Sequence, residues 1–174
     1  MYSPKDVEKS VEIFDLMPFY MMRHKDITGT SGTGVVAQGM ITTLDSNVYT
    51  VWQSNTPTFT VHDSLGKAKY IHGHDNATEF IVKSEEQVKP NDDDFDLLPS
   101  MFGLIHTDDP YGLSRIGLVG KGVLCNNGYA IFRWCVYPYQ IEFFTSLDHF
   151  KTIHVSESYC HLANIDHLCK GNYL

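Results

Sequence analysis

The string Ile71-His72-Gly73-His74-Asp75 places two imidazoles and a carboxylate within four residues. Those groups bind divalent metals or pass protons. His72, His74 and Asp75 are therefore the weak metal candidates, and helix-end hydrogen bonding is the plainer use of His72. Cys160-His161, Asp166-His167 and Cys169 also carry ligand types. Their spacing, C-H-x5-H-x-C, matches none of the standard zinc patterns, and a surface segment is expected there. Gly29-Thr30-Ser31-Gly32-Thr33-Gly34 is a candidate anion nest of backbone N–H groups, with Thr30, Ser31 and Thr33 adding hydroxyls. It lacks the Gly-Lys-Ser/Thr ending of a phosphate loop and leads into a strand. The related segment Tyr111-Gly112-Leu113-Ser114-Arg115-Ile116-Gly117 offers Ser114 and Arg115, the latter a suitable phosphate partner. Simple strand-entry turns are the alternative for both loops.

Nothing in the chain resembles a nucleophile elbow, a paired-carboxylate site or an HExxH helix, so catalysis has little support and no cofactor is expected. Tyr137-Pro138-Tyr139 is a different kind of candidate. Two tyrosines flank a proline in a loop where the related segment, Asn55-Thr56-Pro57, has only one ring-bearing residue and no aromatic. Tyrosines on a stiffened loop make good partner-binding anchors.

These residues sit in a duplicated chain. Gly34-Val35-Val36-Ala37-Gln38-Gly39-Met40-Ile41 recurs 83 positions later as Gly117-Leu118-Val119-Gly120-Lys121-Gly122-Val123-Leu124. At a spacing of 82, Trp52 then matches Trp134, Ser64-Leu65 matches Ser146-Leu147, and Ile71-His72 matches Ile153-His154. Upstream, Asp15-Leu16-Met17-Pro18 is expected to correspond to Asp96-Leu97-Leu98-Pro99, and His24-x-Asp26 to His106-x-Asp108. Self-similarity of this kind marks a repeat before any element is assigned.

Within a copy, alternation over 34–42 and a turn at Asp45-Ser46-Asn47 or Asn126-Asn127-Gly128 predict a hairpin ending in Trp. A third strand follows, with Phe59 and Val61 opposite Thr60. Ser64 and Ser146 are candidate N-caps of a short helix, and a last strand runs over 78–83. The expected fold is α+β, a tandem β-β-β-α-β unit with antiparallel sheets. Val7, Val11 and Phe14 add a helix at the amino end. The expected organisation is residues 1–85 for that helix and the first repeat, 86–95 for an acidic linker, and 96–174 for the second repeat.

The formal charge of −8, spread over both halves, argues against nonspecific nucleic-acid binding and suits a basic partner. The apolar runs are too short to span a bilayer, and the polar, acidic start lacks the core of an export signal, so a cytoplasmic location is expected. The cysteines Cys125, Cys135, Cys160 and Cys169 are expected to be reduced there.

The first copy carries Ser31-Gly32-Thr33-Gly34-Val35-Val36-Ala37-Gln38-Gly39, Val51-Trp52, Asp63-Ser64-Leu65 and Ile71-His72-Gly73-His74. In this it resembles a small domain recurring in tailed-phage and actinobacterial proteins, with S-G-T-G-x-V-A-x-G, a strand ending in R-W, a D-S-[IL] helix start and I-H-G-H. The resemblance covers residues 31–83, and the second copy is a divergent version. It implies a phage or bacterial accessory protein and carries over no activity and no catalytic residues. The leading expectation is a noncatalytic binder, a phage accessory or anti-defence protein that engages a host or defence protein, with self-association as a variant. A nucleotide or small-ligand sequestering protein comes second, and a metal-dependent hydrolase at the His-Gly-His segment third.

Overall fold

A computed structural model of the chain describes residues 16–30, 32–83, 97–112 and 115–166. The expected amino-terminal helix and the acidic linker lie outside these residues. The first repeat runs β1 (Leu16–Arg23), β2 (Gly34–Thr42), β3 (Val48–Trp52), β4 (Phe59–His62), α1 (Leu65–His72) and β5 (Thr78–Val82). The second repeats it as β6 (Ser100–His106), β7 (Gly117–Leu124), β8 (Ala130–Trp134), β9 (Ile141–Phe144), α2 (Leu147–His154) and β10 (Cys160–Asn164). Each repeat forms one antiparallel five-stranded sheet, ordered β4-β3-β2-β1-β5 and, equivalently, β10-β6-β7-β8-β9. The tandem α+β duplication therefore holds, with one strand per unit more than the β-β-β-α-β pattern.

That extra strand is β1, or β6 in the second copy, and it lies near the middle of its sheet. Pro18 in β1 argues against a central strand, because proline donates nothing to the ladder. It is accommodated because Lys83 N–H donates to Pro18 O where β5 stops pairing, so the missing donor falls at the end of the ladder. The same strands correct the upstream alignment. Arg23 pairs with Gly34 and His106 with Gly117, and both strands carry a register shift at the same place, between Met21 and Met22 and between Leu104 and Ile105. Arg23, not His24, is thus the counterpart of His106, and His24 corresponds to Thr107.

The repeated glycines have steric reasons. At Gly39 a Cβ would lie 2.0 Å from the Tyr49 carbonyl oxygen and 2.9 Å from the Phe19 ring. At Gly122 it would lie 2.5 Å from Ile131 O and 2.7 Å from Phe102. An aromatic ring covers the same bare backbone position in each copy.

Each sheet packs its helix on one face. Ser64 and Ser146 cap the helices by accepting from the N–H of Lys67 and His149, as their sequence predicts. Ala68 of α1 packs on Phe19, Met21, Val36 and Ala37, and Phe150 of α2 packs on Phe102, Leu104, Phe132 and Phe144. The opposite faces of the two sheets meet in a shared core: Leu16, Met40, Tyr49 and Val51 from the first repeat, and Met101, Val123, Ile131 and Ile165 from the second. The layers run helix, sheet, sheet, helix.

A polar clasp crosses this core. Arg133 of β8 donates through Nη1 to Asp45, to Tyr49 Oη at 3.1 Å and to Thr42 Oγ1 at 3.4 Å. Burial acts to raise the Asp45 pKa, but hydrogen bonds from Thr42, Arg133, Asn47 and Tyr49 outweigh it and hold the carboxyl at about 2. Cys125, Cys135 and Cys160 are buried free thiols. Burial pushes Cys125 up to about 12 and Cys135 to about 11, which leaves neither reactive. Among the described residues no helix is long and apolar enough to cross a membrane.

Candidate functional site

Three elements of the first repeat bring their ends together. Thr60 and His62 lie two apart on β4 and so share a face. On α1, Ala68 faces the core, and His72, four residues later, follows on the same side of the helix. His62 and His72 consequently meet, with Nε2 to Nε2 at 3.0 Å. Trp52, at the end of β3, sets its ring edge-on to His72 with centroids 4.8 Å apart and donates Nε1–H to Thr60 Oγ1 at 3.0 Å. Arg23, at the end of β1, is buried and donates Nε–H to Thr78 Oγ1 at 3.2 Å.

A cleft of about 590 Å³ opens over this floor, lined by Arg23, Thr28, Thr30, Trp52, Gln53 and His72, with His74, Ser54, Asn55 and Thr58 at its sides. Every ionisable side chain among the described residues of that lining is basic, in a chain with 21 acids against 13 Lys and Arg. Burial and then the neighbouring His62, His74 and Arg23 charges push His72 down to about 4. At neutral pH His72 is uncharged.

His74 also borders an adjoining cleft with His24, Lys25 and Ile27. It begins an unusual turn: His74, Asp75 and Asn76 have φ of 45°, 52° and 69°, and Ala77 N–H donates to His74 O at 3.0 Å. Left-handed backbone costs roughly 1–2 kcal/mol per residue for non-glycine types. Strain of this kind concentrates at functional sites.

The second repeat is built differently at the same place. Thr50, His62 and Ala68 are replaced by Phe132, Phe144 and Phe150, a packed cluster around His154. Thr60 becomes Glu142, which accepts from Trp134 Nε1 at 2.6 Å and bonds His154 Nε2 at 2.9 Å. His106, in place of Arg23, is held below the usual histidine range by burial. Ser156 and Glu157 replace His74 and Asp75, and the left-handed triplet is confined to the first repeat among the described residues.

The repeated unit is also what the comparison with protein families detects: the Acb5 phage protein model matches residues 16–83 and again 99–166. The chain belongs to the Acb5 phage protein family. No curated protein and no solved structure matches it. Both matches in this Acb5 phage protein begin close to the first strand of a repeat, so the family unit includes the strand that ends in Arg23 or His106.

The sequence candidates fall in different places in the Acb5 fold. Thr30, His72 and His74 line the cleft, while Asp75 lies beyond His74 in the adjoining one. Among the described residues no three His, Cys, Asp or Glu side chains are grouped to hold a metal. The glycine-loop nest is already filled from within, because Gly29 N–H and Gly32 N–H donate to Asp26 at 2.8 and 2.7 Å. Thr33 is exposed, and Arg115 spends its guanidinium on Leu118 O at 3.1 and 2.7 Å. Ser31 and Ser114 lie outside the described residues, as do His167 and Cys169. Tyr137 is exposed beside Tyr139, rings 6.1 Å apart, with a cis bond to Pro138. Sequence reasoning missed Arg23 and His62. Arg23 was hidden by the one-residue misalignment, and His62 had no echo because its counterpart is Phe144.

Proposed function

We propose that this phage accessory protein binds a small phosphodiester of the nucleotide class in the first-repeat cleft and cleaves it by general acid–base chemistry. The observation that carries this is His72, in contact with His62 at 3.0 Å and facing a cleft whose ionisable lining among the described residues is wholly basic. Arg23 supplies the fixed positive charge and Trp52 offers a ring for a base to stack on, while the Thr28 hydroxyl donates to Asp26 at 3.2 Å and meets the Thr30 hydroxyl at 2.6 Å. His72 takes the proton of an attacking water, the new P–O bond forms as the ester P–O bond breaks, and His74 gives its proton to the leaving oxygen. His62 holds the His72 ring in place through the Nε2–Nε2 bond. A phage protein with this chemistry would act on a host-made nucleotide, in keeping with an anti-defence role. The reading departs from noncatalytic protein binding because that expectation took no account of His62 and Arg23.

The test is phosphorus NMR of a nucleotide panel, with bis(p-nitrophenyl) phosphate as a chromogenic probe, on the wild type and on His72→Gln. Cleavage abolished by the substitution supports the reading. A wild type that neither binds nor cleaves any phosphodiester overturns it.

A second reading keeps protein binding at Tyr137, Pro138 and Tyr139, favoured by the 86% exposure of Tyr137. Replacing Tyr137 and Tyr139 together by Ala would weaken binding to a host protein, or self-association, at least about tenfold. The melting temperature would stay nearly unchanged. Unaltered binding with a lowered melting temperature would assign these rings to local packing.

A further inference from the structure

Gln38 in β2 is fully buried, and its side-chain amide is held between two backbone groups of the second repeat. Asn126 N–H donates to its Oε1 at 2.7 Å, and its Nε2 donates to the Leu97 carbonyl at 2.6 Å. A backbone N–H can only donate and a carbonyl can only accept, so this amide has one orientation. Its Oε1 accepts a second hydrogen bond, from Gln53 Nε2 at 2.8 Å.

Gln53 directly follows Trp52 and lines the cleft, and its own backbone N–H is fixed on Val36 O at 2.8 Å. With Nε2 drawn to Gln38, the acceptor Oε1 is the end of the Gln53 amide left for a ligand. Polarity thus passes from two backbone groups of the second repeat, through Gln38, to a cleft residue of the first. The relay runs one way, since the positions equivalent to Gln38 and Gln53 are Lys121 and Cys135, which carry no amide.

We infer that Gln53 is a specificity-determining residue that accepts from an N–H on the edge of a base stacked at Trp52, and that Gln38 is the positioning residue through which the second repeat sets its polarity. This rests on the nucleotide reading of the cleft. It also gives the second repeat a part in recognition.

Calorimetric titration of the full chain with the four 5′-ribonucleoside monophosphates and with inorganic phosphate tests it, alongside the exchange rates of the Gln53 side-chain amide protons by NMR. The wild type should rank the bases over at least about a tenfold range. Gln53→Met and Gln38→Met should each compress that range to about threefold or less while phosphate affinity is kept. In the wild type the Gln53 amide proton bonded to Gln38 should exchange more slowly than its geminal partner, and in Gln38→Met that difference should vanish. Should Gln38→Met not fold, Gln53→Met carries the test, because it leaves both backbone bonds of Gln38 in place. Unchanged base ranking in Gln53→Met overturns the inference, and so does loss of ranking and phosphate affinity together. A wild type that binds phosphate without ranking bases overturns it and spares the anion reading. A wild type that binds none of these ligands overturns the nucleotide reading itself, and the amide exchange then decides the relay alone.

Discussion

His62 and His72 meet Nε2 to Nε2 at 3.0 Å, whereas the second repeat sets Phe144 edge-on to His154 with centroids 5.7 Å apart. One copy keeps a proton-sharing imidazole pair, and the other has replaced half of it with a hydrocarbon ring. General acid–base groups contribute about 10²–10⁴-fold to a rate. His72→Gln should therefore lower phosphodiester cleavage at least about a hundredfold with phosphate affinity within about threefold. His62→Phe, which copies the second repeat, should cost less, about tenfold, because His62 acts through His72. Equal loss of rate and of phosphate affinity in His72→Gln would show a binding residue and no more.

The same histidine should leave a mark on stability. Burial and the surrounding positive groups depress His72 to about 4 in the folded chain, against about 6.5 when unfolded. As pH falls below 6.5 the unfolded chain takes up this proton first, so the folded state loses stability progressively until about pH 4, below which nothing further is lost from this group. His106 is shifted in the same direction and adds to the slope. Chemical denaturation between pH 7 and pH 4 should show a shallower decline in His72→Gln than in the wild type. An identical slope would mean that His72 is not held neutral by the fold.

Arg133 and Asp45 join the two repeats, and the pair is buried enough to matter: their side chains are 6% and 28% exposed. Removing one member of a buried pair leaves the other charge and its hydrogen-bond partners uncompensated, at about 2–4 kcal/mol. Arg133→Met should cost that much in urea unfolding. Lys67→Met breaks the exposed Lys67–Asp63 pair on α1 and should change stability by less than about 1 kcal/mol. Asp45 should also titrate above its present value of about 2 once Arg133 is gone.

The duplication, the helix caps and the Trp52/Trp134 equivalence were legible because each has a local rule: a repeated string, a Ser at the helix start, alternation ending in a ring. β1 and β6 were not, since a strand buried on both faces does not alternate and Pro18 speaks against it. Losing that strand also shifted the upstream alignment and hid Arg23, the one fixed charge among the described residues of the cleft. His72 and His74 were visible as a motif. What His72 does depends on His62, ten residues away, whose counterpart in the second repeat is Phe144. The glycine loop, chemically an anion nest, was already satisfied by Asp26, a contact that spacing alone does not announce.

The turn His74-Asp75-Asn76 has three consecutive left-handed residues, with Asp75 at φ 52° and exposed to solvent. Aspartate at such a position pays a steric cost that glycine does not, partly offset by the greater freedom of glycine in the unfolded chain. Asp75→Gly should therefore raise stability by about 0.5–1 kcal/mol, read as a higher urea midpoint with an unchanged slope. Relief of strain should also widen the positions open to His74, which the turn holds on the wall between the two clefts. The stabilised variant should then cleave more slowly while binding phosphate as before. His74→Ser, the residue type of the second repeat, should lower cleavage further without the gain in stability. If Asp75→Gly is both more stable and fully active, the strained turn has no part in placing His74, and the leaving-group proton must come from another donor in the cleft.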